Sequence, residues 1–421
     1  MHTAVYGSGY LGTIISACLA DFGLPVTCFD ENTAQLKEVA QGKFGFYEKN
    51  LEEVLRRNVR SGRLMYATEV AGTAAKSGVI FLAEDTHQQV EDVAVRLAQM
   101  ARPRTIIVVS SPVPVGTCAR IEKRIKEAGL AITIVSQPMF LTNGCAVEDF
   151  NWPDRILLGT SSSDAVMALK QTYRPLVMRG VPVIVTNHET AELVREASTA
   201  FVATKIAFIN EIASLSERVK ADAMDLALAL GLDKKIGPRC LQPGSVFAGP
   251  FAETEMDSLA SLANGNGISL RILSAAREVN RTLPDRIVDK ITALVDNVKG
   301  KELGILGLAF KPNTNYIAGS TSLLLAKNLM TQGANVRAYD PVAVSEGNSE
   351  LLGIRCCASP YAAAEGSDAL VVGTGWPEFR ALDFEKIKKL LKRPIIIDTK
   401  NLLDSGRLRS MGYQYVGVGR A

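Results

Sequence analysis

The chain predicts an α/β protein: two Rossmann-like, doubly wound parallel-sheet domains joined by a helical middle domain with one long helix. Three observations carry that expectation. Short β-branched runs alternate with helical patterns from residue 3 onward, a helical stretch free of proline and glycine follows His188, and the alternation resumes at Lys301. The 421 residues are enough for two or three domains with sizeable cores.

The first block has strand candidates at residues 3–6, 25–30, 79–83, 105–110, 132–136, 155–158 and 181–186. The segments between them repeat apolar residues at helical spacing, the pattern of βαβ units in a parallel sheet. In the middle, residues 189–221 place Leu193, Ala197, Phe201, Ile206, Ile209 and Leu215 at helical spacing. One helix of about 30 residues spans some 45 Å. That is longer than one small domain needs, which predicts a link between domains and a face buried between subunits. Further helices are expected at 222–230, 269–280 and 284–298, with a glycine- and proline-rich loop at 237–267. The second block has strands at 304–308, 335–339, 369–373 and 394–398 and a helix at 322–331. The expected domains are therefore residues 1–188, 189–299 and 300–421.

A net charge of +3 with no run of like charges argues against a nucleic-acid or acidic-membrane partner. The chain opens directly on a strand, with no secretory leader and no apolar run long enough to span a bilayer. Seven scattered cysteines without C-x-x-C spacing read as reduced thiols of a cytoplasmic protein. His2, His87 and His188 are too dispersed for a metal cluster, and no metal is expected.

Gly7-Ser8-Gly9-Tyr10-Leu11-Gly12 follows the first strand and opens a helix, the context in which a glycine motif binds a dinucleotide diphosphate. Asp30 ends the second strand about 20 residues on, where a carboxylate holds ribose hydroxyls and repels a 2′-phosphate. NAD is the expected cofactor, in preference to NADP.

Beyond that motif, the chain carries PVPVGT at 112–117, AVEDFNWPDRILLG at 146–159 and AELVREASTAFVATKIAFINEIA at 191–213. GLAFKPNT at 307–314, YDP at 339–341 and WPEF at 376–379 follow in order. On these strings the sequence resembles the UDP-glucose/GDP-mannose dehydrogenase family over nearly its full length. The resemblance implies an NAD site, a nucleotide-sugar cleft and a homodimer built on the long helix. It also implies oxidation of a sugar C6 alcohol to a carboxylate in two hydride transfers, through a thiohemiacetal and a thioester on a cysteine.

Against that pattern the reactive residues differ. The family's GFGGxCxPKD loop corresponds to residues 246–255, with Phe251 in the nucleophile's place and Glu255 in that of the final aspartate. PEFLREG corresponds to Pro138-Met139-Phe140-Leu141-Thr142-Asn143-Gly144, which lacks both glutamates. The catalytic lysine and its asparagine partner are replaced by Arg195 and Thr199. Pro112 replaces a threonine, Ala318 an arginine, and Lys400 the arginine of DxRN. An arginine does not exchange protons at neutral pH.

The candidate catalytic residues are Glu255, His188 and Arg195. Glu255 and His188 are considered as bases, each against a structural alternative in packing or helix capping. Thr86 and His87 lie where the family reads V-x-T-P beside the nicotinamide; His87 also reads as a solvent-facing loop residue. Lys311, Arg195, Phe247 and Lys400 are the candidate substrate-binding residues. Cys240 could be an alternative thiol, with a small packed residue as its plainer role. The expectation is an NAD-dependent oxidoreductase of nucleotide sugars that cannot run the four-electron reaction through a cysteine. The alternative is a non-catalytic NAD- or nucleotide-sugar-binding subunit.

Overall fold

The computed structural model describes residues 2–249, 252–344 and 348–420. The chain gathers into two compact units, Met1–Ser198 and Thr199–Ala421, and the division falls inside one long helix, His188–Val219.

The first unit is built on an eight-stranded sheet. Its strands are β1 (Thr3–Tyr6), β2 (Val26–Phe29), β3 (Leu64–Ala67), β4 (Val79–Leu82), β5 (Ile106–Val109), β6 (Thr133–Ser136), β7 (Ile156–Gly159) and β8 (Val183–Thr186). The order β3-β2-β1-β4-β5-β6-β7-β8 reverses direction between β1 and β4, creating the switch point beside which ligands bind in open α/β sheets. Ala4 and Tyr6 enter one buried apolar cluster and Val5 another, so both faces of β1 are covered. This is why the central strands are continuous apolar runs.

One feature departs from a wholly parallel sheet. β7 pairs antiparallel with β6 at Ser136–Gly159, then runs parallel with β8. Antiparallel neighbours need no crossover helix, and the link between β6 and β7 holds only the short helix Ala146–Asn151.

The second unit carries a wholly parallel sheet. Its strands are β9 (Glu302–Leu306), β10 (Asn335–Tyr339), β11 (Arg355–Cys356), β12 (Ala369–Val372), β13 (Ile395–Asp398) and β14 (Gln414–Gly417). They are arranged β11-β10-β9-β12-β13-β14. Its core includes Leu303, Ile305, Val371 and Ile397 from the strands and Leu325 and Leu329 from the Thr321–Thr331 helix.

Two expectations about the middle segment are corrected. The residues expected as a loop at 237–267 include a helix, Ala252–Gly265. Its Met256 and Leu259 pack with Ala203 and Leu273, and that helical spacing outweighs the flanking glycines. The two helices expected at 269–280 and 284–298 are one, Arg271–Leu294, with Pro284 inside it. Leu283, Ile287, Val288 and Ile291 are buried around the proline. Burying several such side chains, each contributing about 1.5–3 kcal/mol, exceeds the roughly 3 kcal/mol that proline costs a helix interior.

Candidate functional site

In the first unit the glycine loop joins β1 to the helix Tyr10–Asp21. A side chain at Gly12 would meet the Gly7 carbonyl oxygen at 2.0 Å, so the glycine is required for helix and strand to approach. Asp30 follows β2 and is buried. Its Oδ2 accepts from both the Ser8 N–H and the Ser8 hydroxyl at 2.6 Å, and its Oδ1 accepts from the Asn32 N–H at 2.7 Å. The expected adenosine-side acid is thus fixed against the loop it serves.

Asp85 was not among the expected residues. It lies 75 positions from Tyr10, yet its Oδ2 accepts from the Tyr10 N–H at 2.8 Å and its Oδ1 from the Leu11 N–H at 2.9 Å. These first-turn donors have no partner within their helix. Beside it, burial first and then the Asp30, Asp85 and Glu31 carboxylates push the Glu84 carboxyl up to about 7. The sequence signal for both residues is the string Glu84-Asp85-Thr86-His87 in place of V-x-T-P. Thr86 and His87 are exposed.

Two further buried carboxylates anchor loops. Glu48 accepts from the Tyr10 hydroxyl at 2.7 Å and from the Gly144 and Ala146 N–H groups at 2.6 and 2.9 Å. It thereby fixes the end of the 138–144 segment. Glu192 accepts from Gly116 and Cys118 N–H at 2.6 and 2.8 Å, capping the Thr117–Glu127 helix. Burial pushes its carboxyl upward, while those hydrogen bonds oppose the shift.

His188, Glu192 and Arg195 share one stripe of the long helix. The Arg195 guanidinium donates to the Met139 carbonyl. His188 Nε2 lies 3.7 Å from Glu122 Oε2, and its Nδ1 is buried without a hydrogen-bond partner among the described residues.

In the second unit, residues 244–247 are held by four side chains. Asn210 donates to the Ser245 carbonyl at 2.9 Å and accepts from the Gly244 N–H at 2.8 Å. Lys400 Nζ donates to the Gly244 carbonyl at 3.0 Å and to Ser245 Oγ at 2.7 Å. Thr321 Oγ1 accepts from the Val246 N–H at 2.9 Å, and Asn280 bonds both the N–H and the carbonyl of Phe247. Lys400 is fully enclosed. Burial pushes its ammonium down to about 7, with Asp398 acting in the other direction.

This loop borders a cleft of about 860 Å³, lined in part by Phe247, Gly249, Asn280, Arg281, Tyr316 and Ala318. Lys311 Nζ lies over the neighbouring Phe310 ring, 5.6 Å from its centroid. Glu255, buried on the Ala252–Gly265 helix, accepts a hydrogen bond from the Thr199 hydroxyl. Phe251 lies outside the described residues. Cys240 is exposed, with its backbone in the left-handed region at φ 65°. Among the described residues no group of three or more His, Cys, Asp or Glu side chains is placed to hold a metal. No helix among them is long and apolar enough to cross a membrane.

Three family models cover most of this chain. The NAD binding domain of the UDP-glucose/GDP-mannose dehydrogenase family matches residues 1–177, its central domain 189–282, and its UDP binding domain 304–405. The chain belongs to the UDP-glucose/GDP-mannose dehydrogenase family. A UDP-glucose 6-dehydrogenase of Rhizobium meliloti (strain 1021) is 34% identical over 435 residues, covering 100% of both chains. The UDP-glucose 6-dehydrogenase TuaD of Bacillus subtilis (strain 168) is also 34% identical, over 99% of this chain and 93% of that one. Among solved structures, a UDP-glucose dehydrogenase from the hyperthermophilic archaeon Pyrobaculum islandicum superposes with TM-score 0.88 at 28% identity, covering 100% and 98%.

The family's cofactor is NAD. The glycine loop, the helix N-terminus and Asp30 suit the adenosine half of a dinucleotide. In this structure Asp85 accepts from the two N–H groups that the diphosphate would use, so a bound dinucleotide would displace this carboxylate.

Proposed function

We propose that this chain is an NAD-dependent oxidoreductase acting on a CH–OH group of a nucleotide sugar, limited to a single two-electron step. What supports this reading is that Arg195 and Thr199, which the family resemblance sets at reactive positions, are bonded to their own scaffold. Arg195 holds the Met139 carbonyl, and Thr199 holds Glu255. Neither pair supplies a nucleophile, and Phe251 cannot form a thioester.

Glu255 is the base in this reading. It takes the proton of the substrate hydroxyl as the carbon gives up a hydride, leaving a carbonyl. The nicotinamide of NAD supplies the hydride acceptor when bound. The Thr199 hydrogen bond keeps the Glu255 carboxylate oriented. His188 is assigned no proton transfer, since its Nε2 faces Glu122. Arg195 positions the 138–144 segment through the Met139 carbonyl.

Phe247 offers an apolar wall to the nucleotide and Lys311 a cation to its phosphates. Lys400 shapes the cleft by holding the Gly244 and Ser245 backbone in place. Gly7 to Gly12, Asp30 and Thr86 are the proposed cofactor contacts. The division into residues 1–188, 189–299 and 300–421 is retained, supported by the three family matches.

A second reading, a non-catalytic subunit that binds NAD or a nucleotide sugar, is favoured by Asp85 at the glycine loop. Incubation with NAD and a panel of UDP- and GDP-sugars, following NADH and the sugar by mass spectrometry, separates the two. One NADH per sugar with a carbonyl product supports the first reading. Unchanged sugar with ligand still bound supports the second. Two NADH and a carboxylate overturn both.

A further inference from the structure

The Gly7–Gly12 loop contains an occupant that the chain itself provides. The Asp85 carboxylate straddles the N-terminus of the Tyr10–Asp21 helix, one oxygen on each of the Tyr10 and Leu11 N–H groups, at 2.8 and 2.9 Å. A side chain at Gly9 would lie 2.2 Å from Asp85 Oδ2. The open space that a glycine leaves for a diphosphate is therefore filled by this carboxylate. The helix N-terminus attracts any anion, and its free N–H groups serve one at a time.

The surroundings do not offset the charge. Asp30 acts on it from the end of β2, Glu84 from the same loop, and the Tyr10 ring from the helix. Two of those three neighbours are acids. Burial moves the Asp85 carboxyl upward, the Leu11 and Tyr10 hydrogen bonds oppose that, and the Asp30 charge adds to it.

We propose that Asp85 is an internal competitor for the dinucleotide diphosphate, so that cofactor binds only to the fraction of molecules in which this carboxylate has left the helix N-terminus. The consequence is quantitative, because apparent affinity falls in proportion to the binding-competent fraction. With Asp85 seated in nine molecules of ten or more, its removal tightens binding by about tenfold or more. Protonation weakens its hold, so cofactor binds more tightly as pH falls. The residue thereby raises the cofactor concentration needed to fill the site.

The inference rests on the dinucleotide reading of this loop. Its test is calorimetric titration of NAD into the full chain, comparing the wild type with D85A and D85N at pH 6 and pH 8. Melting temperatures check the fold, and D85N keeps an acceptor at the helix should D85A fail to fold. Glu84, pushed up to about 7, is present in every variant, so the Asp85 share is the difference between profiles. The expected result is NAD binding about tenfold or more tighter in D85A, intermediate in D85N, with less pH dependence in both. Wild-type binding that neither substitution tightens overturns the inference and leaves the dinucleotide reading standing. Absence of NAD binding by wild type and variants alike removes both.

Discussion

The Thr199 hydroxyl donates a hydrogen bond to Glu255, a buried carboxylate 56 residues further along the chain. The bond ties the long helix His188–Val219 to the helix Ala252–Gly265. A hydroxyl donor stabilises a carboxylate and fixes its direction, as expected of a positioned base.

If Glu255 takes the substrate proton, E255Q lowers the NADH-forming rate by about 100-fold or more. T199V, which keeps the volume and removes the donor, lowers it less. NAD binding is unchanged by either, because neither residue belongs to the glycine loop. Steady-state rates beside NAD titrations test this, and equal activity in E255Q and wild type would remove Glu255 from the mechanism.

Lys400 gives a stability prediction. Its ammonium is held down to about 7 in the fold, against about 10.4 when unfolded. Between those values the unfolded chain binds a proton that the native chain lacks, so stability rises as pH increases from about 7 toward 10. The slope for one such group is on the order of 1 kcal/mol per pH unit. Below pH 7 both states are protonated and the burial penalty is constant. Subtracting the K400M profile from that of the wild type isolates this slope, whatever offset follows from losing the Gly244 and Ser245 contacts. A flat difference between pH 7 and 9 would show that Lys400 keeps its proton.

The long helix predicts an assembly. Phe201, Phe208 and Leu215 recur at intervals of seven on His188–Val219 and are 66%, 48% and 55% exposed. Seven residues are close to two turns, so the three form one exposed apolar stripe. A homodimer covering this stripe is expected, and F208D should convert it to a folded monomer with wild-type far-UV circular dichroism. Light scattering decides it: a monomeric wild type at micromolar concentration contradicts the prediction.

Sequence reading located the strands whose faces are both buried, because β4 and β5 are unbroken apolar runs and β1 is nearly so. It missed β3, where only Leu64 is buried at the sheet edge, β11, which is two residues long, and the edge strand β14, where only Tyr415 and Gly417 are buried. Pro284 and the glycines around residues 252–265 masked helices whose stability comes from tertiary burial. At the site, the glycine loop and Asp30 were legible because their chemistry is local to one βαβ unit. Asp85 was not, because its function depends on β4 lying beside β1 in the sheet. Asp340, in the YDP string, shows the same limit. Besides the local N–H groups of Val342 and Ala343, it accepts from the Leu308 and Ala309 N–H groups and from Trp376 Nε1, bonds that no spacing along the chain discloses.

The last prediction concerns Phe251. A four-electron oxidation needs the aldehyde held covalently, so that a second hydride can leave from an sp³ carbon. Removing a nucleophile outright costs several orders of magnitude, because neighbouring groups cannot form its covalent bond. The wild type is therefore expected to release no uronic acid from UDP-glucose, UDP-N-acetylhexosamine or GDP-mannose, and to form at most one NADH per sugar. F251C alone should not restore the acid. Met139 and Asn143 stand where the family has glutamates, and Arg195 is bonded to the Met139 carbonyl instead of exchanging protons. Mass spectrometry of F251C after reaction is the sensitive test. A thioester adduct or free carboxylate in F251C would show that one thiol suffices. The same products from the wild type would point to Cys240, the exposed thiol at the start of the preceding loop.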